Sequence, residues 1–198
     1  SSPSTLTRRR RTRAASLAAG EWHSMCVRAS DGMAFSWGGG SCTDEGMRRL
    51  ALLGQGEVSG QCVHLPAPVV GLDVQVREVA VGTMHSILLG VDGRVWSCGI
   101  GKYGALGHGD NVDHATPRCI FDLFQVQAEQ IAAGDYHSLV LASDGAVYGF
   151  GWGAGGRLGL GDRAPQQRPA RVAALEGTRI CQVSAGSTHS LAVGEAGE

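Results

Sequence analysis

The chain has 198 residues, 31 of them glycine, where average usage of about 7% would give about 14. The glycines follow no Gly-X-Y period and only 6 prolines accompany them, which excludes a collagen-like helix, and no run of about 18 apolar residues offers a helical membrane span. A formal net charge of -1 conceals an asymmetry: residues 1–13 hold five arginines and no acid, and the remainder carries 12 Lys and Arg against 18 Asp and Glu, a net charge of -6.

The first segment, residues 1–14, reads as a basic disordered arm. Arg8, Arg9, Arg10, Arg11 and Arg13 are the residues for nuclear import or for contact with phosphate groups. A solvated tail is the plainer reading of such a charge run. The Arg- and Ser-rich start also faintly resembles a transit peptide, whereas Ala14–Ala19 is too short for a secretory core. The acidic remainder is a poor nucleic-acid platform, so chromatin or nucleic acid would be met only through the arm.

Beyond the arm the chain repeats itself. Gly-x-x-His-Ser occurs as GEWHS at Gly20–Ser24, GTMHS at Gly82–Ser86, GDYHS at Gly134–Ser138 and GSTHS at Gly186–Ser190, with spacings of 62, 52 and 52 residues. An Asp-Gly pair follows at Asp31–Gly32, Asp92–Gly93 and Asp144–Gly145. Next come apolar runs ending at Gly38, Gly99 and Gly151. LGQG, LGHGD and LGLGD follow from Leu53, Leu106 and Leu158. Each copy closes on proline, at Pro66 or Pro68, Pro117 and Pro169. The first copy is longer, and SCTDEGMRRLA reads as a loop insertion.

Each copy predicts four short strands. In the second they are VQVREVAVG, HSILLGV, RVWSCG and Arg118–Leu123. Asp-Gly between two such runs signals a hairpin. Helical periodicity is lacking throughout, so the chain reads as all-β. A repeat of about 50 residues with four strands indicates a β-propeller blade, whose sheet buries its faces only by stacking on neighbours. Blades are expected at about 15–75, 76–127 and 128–179, with a partial fourth at 180–198.

The repeat also settles what its residues are for. His23, His85, His137 and His189 recur once per blade and do not converge, so together with Gly20, Gly82, Gly134 and Gly186 they read as structural, the His-Ser pairs tying strands by hydrogen bonds. Gly99-x-Gly101-x-x-Gly104 and Gly151-x-Gly153-x-x-Gly156 match a dinucleotide fingerprint, but Gly-rich sequence follows where a helix is needed. The leucines of Leu-Gly-x-Gly are expected to plug between blades. Trp22, Trp37, Trp96 and Trp152 are scattered, with Trp37 and Trp96 at one shared repeat position that reads as a blade-packing aromatic. Cys26, Cys42, Cys62, Cys98, Cys119 and Cys181 form no CxxC pair and no regular framework, which suits a reducing compartment. Neither a Ser-His-Asp triad nor HExxH nor a P-loop is present, so no enzyme activity, cofactor, metal or small-molecule substrate is expected.

The order GxxHS, DG, apolar run, G-x-LG-x-GD and Pro resembles the regulator of chromosome condensation repeat over residues 15–198. The resemblance implies a seven-bladed propeller, of which this chain supplies three blades and two strands of a fourth. It implies binding of a protein partner through ring-face loops, here Gly40–Leu52, Asn111–Ala115 and Arg163–Arg168. Arg48 and Arg49 lead the candidate contacts, with Asn111, Asp113 and Arg163. Two alternatives follow from the same resemblance: guanine-nucleotide exchange on a Ran-type small GTPase, and service as the substrate-binding propeller of a larger protein such as a ubiquitin ligase. The expected location is intracellular, cytoplasmic or nuclear, with no membrane partner.

Overall fold

A computed structural model describes residues 16–39, 50–56 and 62–197. The described residues are built from strands and short 3-10 turns, with no helix long and apolar enough to cross a membrane. The first sheet runs β1 (Leu17–Ala19), β2 (His23–Val27), β3 (Ala34–Gly38) and β4 (Val63–Pro68). The second runs β5 (Val76–Val81), β6 (His85–Gly90), β7 (Val95–Gly99) and β8 (His114–Cys119). The third runs β9 (Ala128–Ala133), β10 (His137–Ala142), β11 (Val147–Gly151) and β12 (Gln166–Arg171). Strands β13 (Ile180–Ala185) and β14 (Ser190–Gly194) form a two-stranded fourth sheet. The three four-stranded sheets are antiparallel meanders, the pattern of propeller blades, and the fourth is an antiparallel pair.

The Asp-Gly turns show why those two residues recur. Gly93 donates to the Gly90 carbonyl at 3.1 Å with φ at +83°, a left-handed conformation that glycine adopts cheaply. The aspartate supplies the other half of the turn. Its Oδ1 accepts the backbone N–H two residues on: Asp31 from Met33, Asp92 from Arg94 and Asp144 from Ala146, at 2.9–3.1 Å.

Three cores lie between successive sheets. Met25 and Val27 meet Val79 and Leu88; Ile87, Leu89 and Val95 meet Ile131, Val140 and Phe150; Leu139 and Leu141 meet Ile180 and Val183. Side chains alternate across a strand. Leu88 therefore faces the first sheet while Ile87 and Leu89 face the third, and all six residues of β6 are buried. A blade buried on both faces explains the continuous buried run HSILLG.

The fourth strand of the second copy begins earlier than the sequence suggests. It spans His114–Cys119, and Phe121–Leu123 form a 3-10 turn instead. Pro117 sits inside the strand. Because β8 is the outer edge of its sheet, the missing N–H costs no ladder bond. The expected loops shrink accordingly. Residues 114–115 belong to β8 and 166–168 to β12, while Leu52, at the end of the first-blade loop, is fully buried. Cys26, Cys98, Cys119 and Cys181 carry free thiols, and burial pushes the Cys98 thiol up to about 12.

Candidate functional site

The Gly-x-x-His-Ser turns lie at one end of the sheets. His85 pairs with Gly99 across β6 and β7, so the loop after Gly99 leaves from that same end. His23 pairs likewise with Gly38, and His137 with Gly151. This face of the propeller therefore collects both the repeated turns and the variable loops.

Beneath it the blades are tied by hydrogen bonds. His23 Nε2 lies 2.6 Å from Ser86 Oγ, His85 Nε2 2.9 Å from Ser138 Oγ, and His137 Nε2 3.0 Å from Ser190 Oγ. Every tie joins a histidine to the serine of the next blade. The serine hydroxyls donate to carbonyls of the preceding blade: Ser86 to Leu52 at 3.0 Å, Ser138 to Ala105 at 3.0 Å and Ser190 to Arg157 at 2.6 Å. A hydroxyl has one proton to give. Having given it to a carbonyl, the oxygen accepts from the imidazole, so the neutral ring carries its proton on Nε2. Nδ1 of His23, His85 and His137 is buried and meets no polar group. Burial lowers the pKa of His23 to about 4, of His85 to about 3 and of His137 to about 4. The rings therefore stay neutral at ordinary pH, and they are spaced blade by blade as ties.

The first glycine of the motif makes this packing possible. A Cβ at Gly82 would collide with the Gly134 carbonyl and the His85 ring, and one at Gly134 with the Gly186 carbonyl and the His137 ring. Overpacking of a core costs about 1–3 kcal/mol. We expect Gly134→Ala to lower stability by at least that range in urea denaturation. Unchanged stability would contradict the contact.

Further links recur beside the histidines. Innermost strands of neighbouring blades are not paired, so their N–H groups need other acceptors. Val79 N–H donates to Ser16 Oγ, Ile131 N–H to Glu78 Oε1 and Val183 N–H to Gln130 Oε1, at 3.1, 3.4 and 2.8 Å. Leu53, Leu106 and Leu158 are buried, and Ser36 and Ser97 donate to the carbonyls of Leu53 and Leu106 at 2.6 and 2.7 Å.

The candidate contact residues take different positions on this face. Asn111 and Arg163 are exposed on the loops before β8 and β12. Asp113 is turned inward, its Oδ1 accepting the Gly101 N–H at 2.9 Å. Arg48 and Arg49, and the arm arginines Arg8–Arg11 and Arg13, lie outside the described residues. The structure adds three residues that the sequence reading did not select. Tyr103 stacks on Trp152 with ring centroids 5.0 Å apart and planes 13° apart. Tyr136 meets both edge-on at 5.7 and 6.0 Å. They come from the loop after β7, the loop after β11 and the turn before β10.

Three four-stranded meanders and a two-stranded fourth sheet, packed face to face and fastened by a once-per-blade histidine, define a β-propeller repeat protein. The chain belongs to the regulator of chromosome condensation (RCC1) repeat family, whose model matches residues 92–141 and 144–193. A second model of the same repeat matches residues 128–157. The ultraviolet-B receptor UVR8 of Arabidopsis thaliana is 35% identical over 179 residues, covering 90% of this chain and 38% of that protein. The probable E3 ubiquitin-protein ligase HERC6 of Homo sapiens is 36% identical over 156 residues, covering 77% of this chain and 15% of the ligase. Among solved structures, Prp20p of Saccharomyces cerevisiae, described with its binding to Gsp1p and histones, superposes with a TM-score of 0.75 at 24% identity. That match covers 89% of this chain and 42% of Prp20p. The chain thus spans less than half the length of these relatives.

Proposed function

We propose that this chain is a protein-interaction module that presents the loops of its histidine face to a protein partner. The observation that supports this most is the contrast between the two layers of that face. The tied histidines and glycines below repeat from blade to blade, whereas the loops above differ in side chains, the first also in length, and Asn111 and Arg163 stand exposed there. Variable loops on a rigid base suit recognition, because little ordering entropy is lost on binding. Arg48, Arg49 and Asp113 belong to the same proposed contact set.

The match to a small part of HERC6 favours a related reading, in which these blades serve as the substrate-binding propeller of a larger protein. Exchange on a Ran-type GTPase is a different class. The likeness to Prp20p at 24% identity concerns the fold, and the exchange reading stands on family membership. A photo-crosslinking residue at position 111 or 163, compared with one at Phe121 on the opposite face, tests the module in the intact protein. We expect a partner to be trapped from the first two positions only. Trapping from position 121 alone would move the site to the other face. Faster nucleotide release from small GTPases would move the reading to exchange.

A further inference from the structure

The aromatic cluster carries three features that packing alone leaves unexplained. Tyr103 is the one residue other than glycine at positive φ among the described residues, at φ +61°, and the third repeat places Gly155 there at φ +74°. A strained non-glycine backbone is kept where the side chain has a use. Lys102 is exposed and holds its Nζ 5.0 Å above the Tyr103 ring and 6.0 Å from that of Tyr136. Arg157 is only 6% exposed, and its guanidinium lies 4.3 Å from the Trp152 ring. It donates to two neutral carbonyls, Ala154 at 2.8 Å and Ser187 at 3.3 Å, and pairs with no carboxylate among the described residues. The carboxylates nearby are otherwise engaged: Asp113 accepts from Gly101 N–H, and Asp135 from the hydroxyls of Thr83 and Ser187.

We infer that Tyr103, Tyr136 and Trp152, with Lys102 and Arg157, form a docking platform for an acidic, extended segment of a partner protein. The inference rests on the protein-interaction reading above and names its chemistry. Lys102 and Arg157, which have no carboxylate partner among the described residues, give the platform a local positive potential that complements an acidic segment although the remainder of the chain is net acidic. Rings already stacked against each other supply contact area without further ordering. The acidic side chains meet exposed Lys102, and the peptide backbone lies along Tyr103 and Trp152, whose ring the buried Arg157 guanidinium backs from 4.3 Å.

The test uses a short fluorescent peptide of alternating acidic, tyrosine and glycine residues, its lysine counterpart, and an oligothymidylate, each titrated against the whole chain. We expect the acidic peptide to bind and the lysine peptide not to. Tyr103→Gly and Lys102→Glu should each weaken the acidic peptide by at least about tenfold. Tyr103→Gly keeps the fold, because Gly155 takes the same backbone conformation in the next blade, and circular dichroism checks this. Equal binding of the lysine peptide, indifference to both substitutions, or tighter binding of oligothymidylate overturns the inference. If crosslinking at positions 111 and 163 traps a protein whose capture ignores Tyr103→Gly, this platform is refuted while the interaction module stands.

Discussion

We expect His85→Ala to lower the free energy of unfolding by about 3–5 kcal/mol. The ring is fully buried between the second and third sheets, and its removal leaves a hole that the surrounding strands cannot close. It also takes away the imidazole donor to Ser138 Oγ, which still gives its proton to Ala105. Ser138→Ala removes less volume but leaves both the His85 N–H and the Ala105 carbonyl unmet, and the expected loss is about 1–3 kcal/mol. His85→Gln, which can carry an amide N–H toward the serine, recovers part of the difference. Urea denaturation of the three variants gives the order. A loss below about 1 kcal/mol for His85→Ala would mean that the blades are held together without this tie.

The second large effect is acid lability. Burial holds His23 at about 4, His85 at about 3 and His137 at about 4, against 6.5 for an unburied imidazole. His85 is lowered further by its neighbours His137 and His23, with Asp135 opposing, and His137 by Arg157. His108, half-buried and beside His114, falls to about 4. These folded-state values are depressed, so the unfolded chain takes up protons first as pH falls. Stability from this source is complete above about pH 6.5 and declines from there to about pH 3, where His85 is the last to be protonated. Each of the three tie histidines accounts for on the order of 3 kcal/mol. We expect unfolding near pH 5 to bind about four protons per chain, read from the slope of stability against pH. A flat profile between pH 7 and 5 would contradict the buried neutral rings.

The repeat made most of the fold legible. Gly-x-x-His-Ser, Asp-Gly and Leu-Gly-x-Gly fall in a fixed order, and a four-stranded unit with that spacing has few ways to bury both faces. What the linear order obscured was the partner of each histidine. His85 and Ser86 are neighbours in the chain, yet in a strand they point to opposite faces. His85 therefore reaches Ser138 on one side, while Ser86 receives His23 on the other. The period of two was the available signal. The start of the fourth strand was misread because Pro117 looked like a boundary, whereas an edge strand tolerates it. The aromatic cluster was illegible for another reason. Tyr103, Tyr136 and Trp152 belong to three loops of two repeats, and Tyr103 occupies a position that the next repeat gives to glycine. No linear motif contains all three.

The central claim is that neutral histidines, protonated on Nε2 and bonded to the next blade's serine, hold successive blades in register beneath the loop face. Nitrogen-15 NMR of histidine-labelled protein observes this directly. The account predicts that His23, His85 and His137 show the neutral Nε2–H form at pH 6, with no titration above about pH 4 while the chain stays folded. Rings that titrate near 6.5, or that carry the proton on Nδ1, would contradict it.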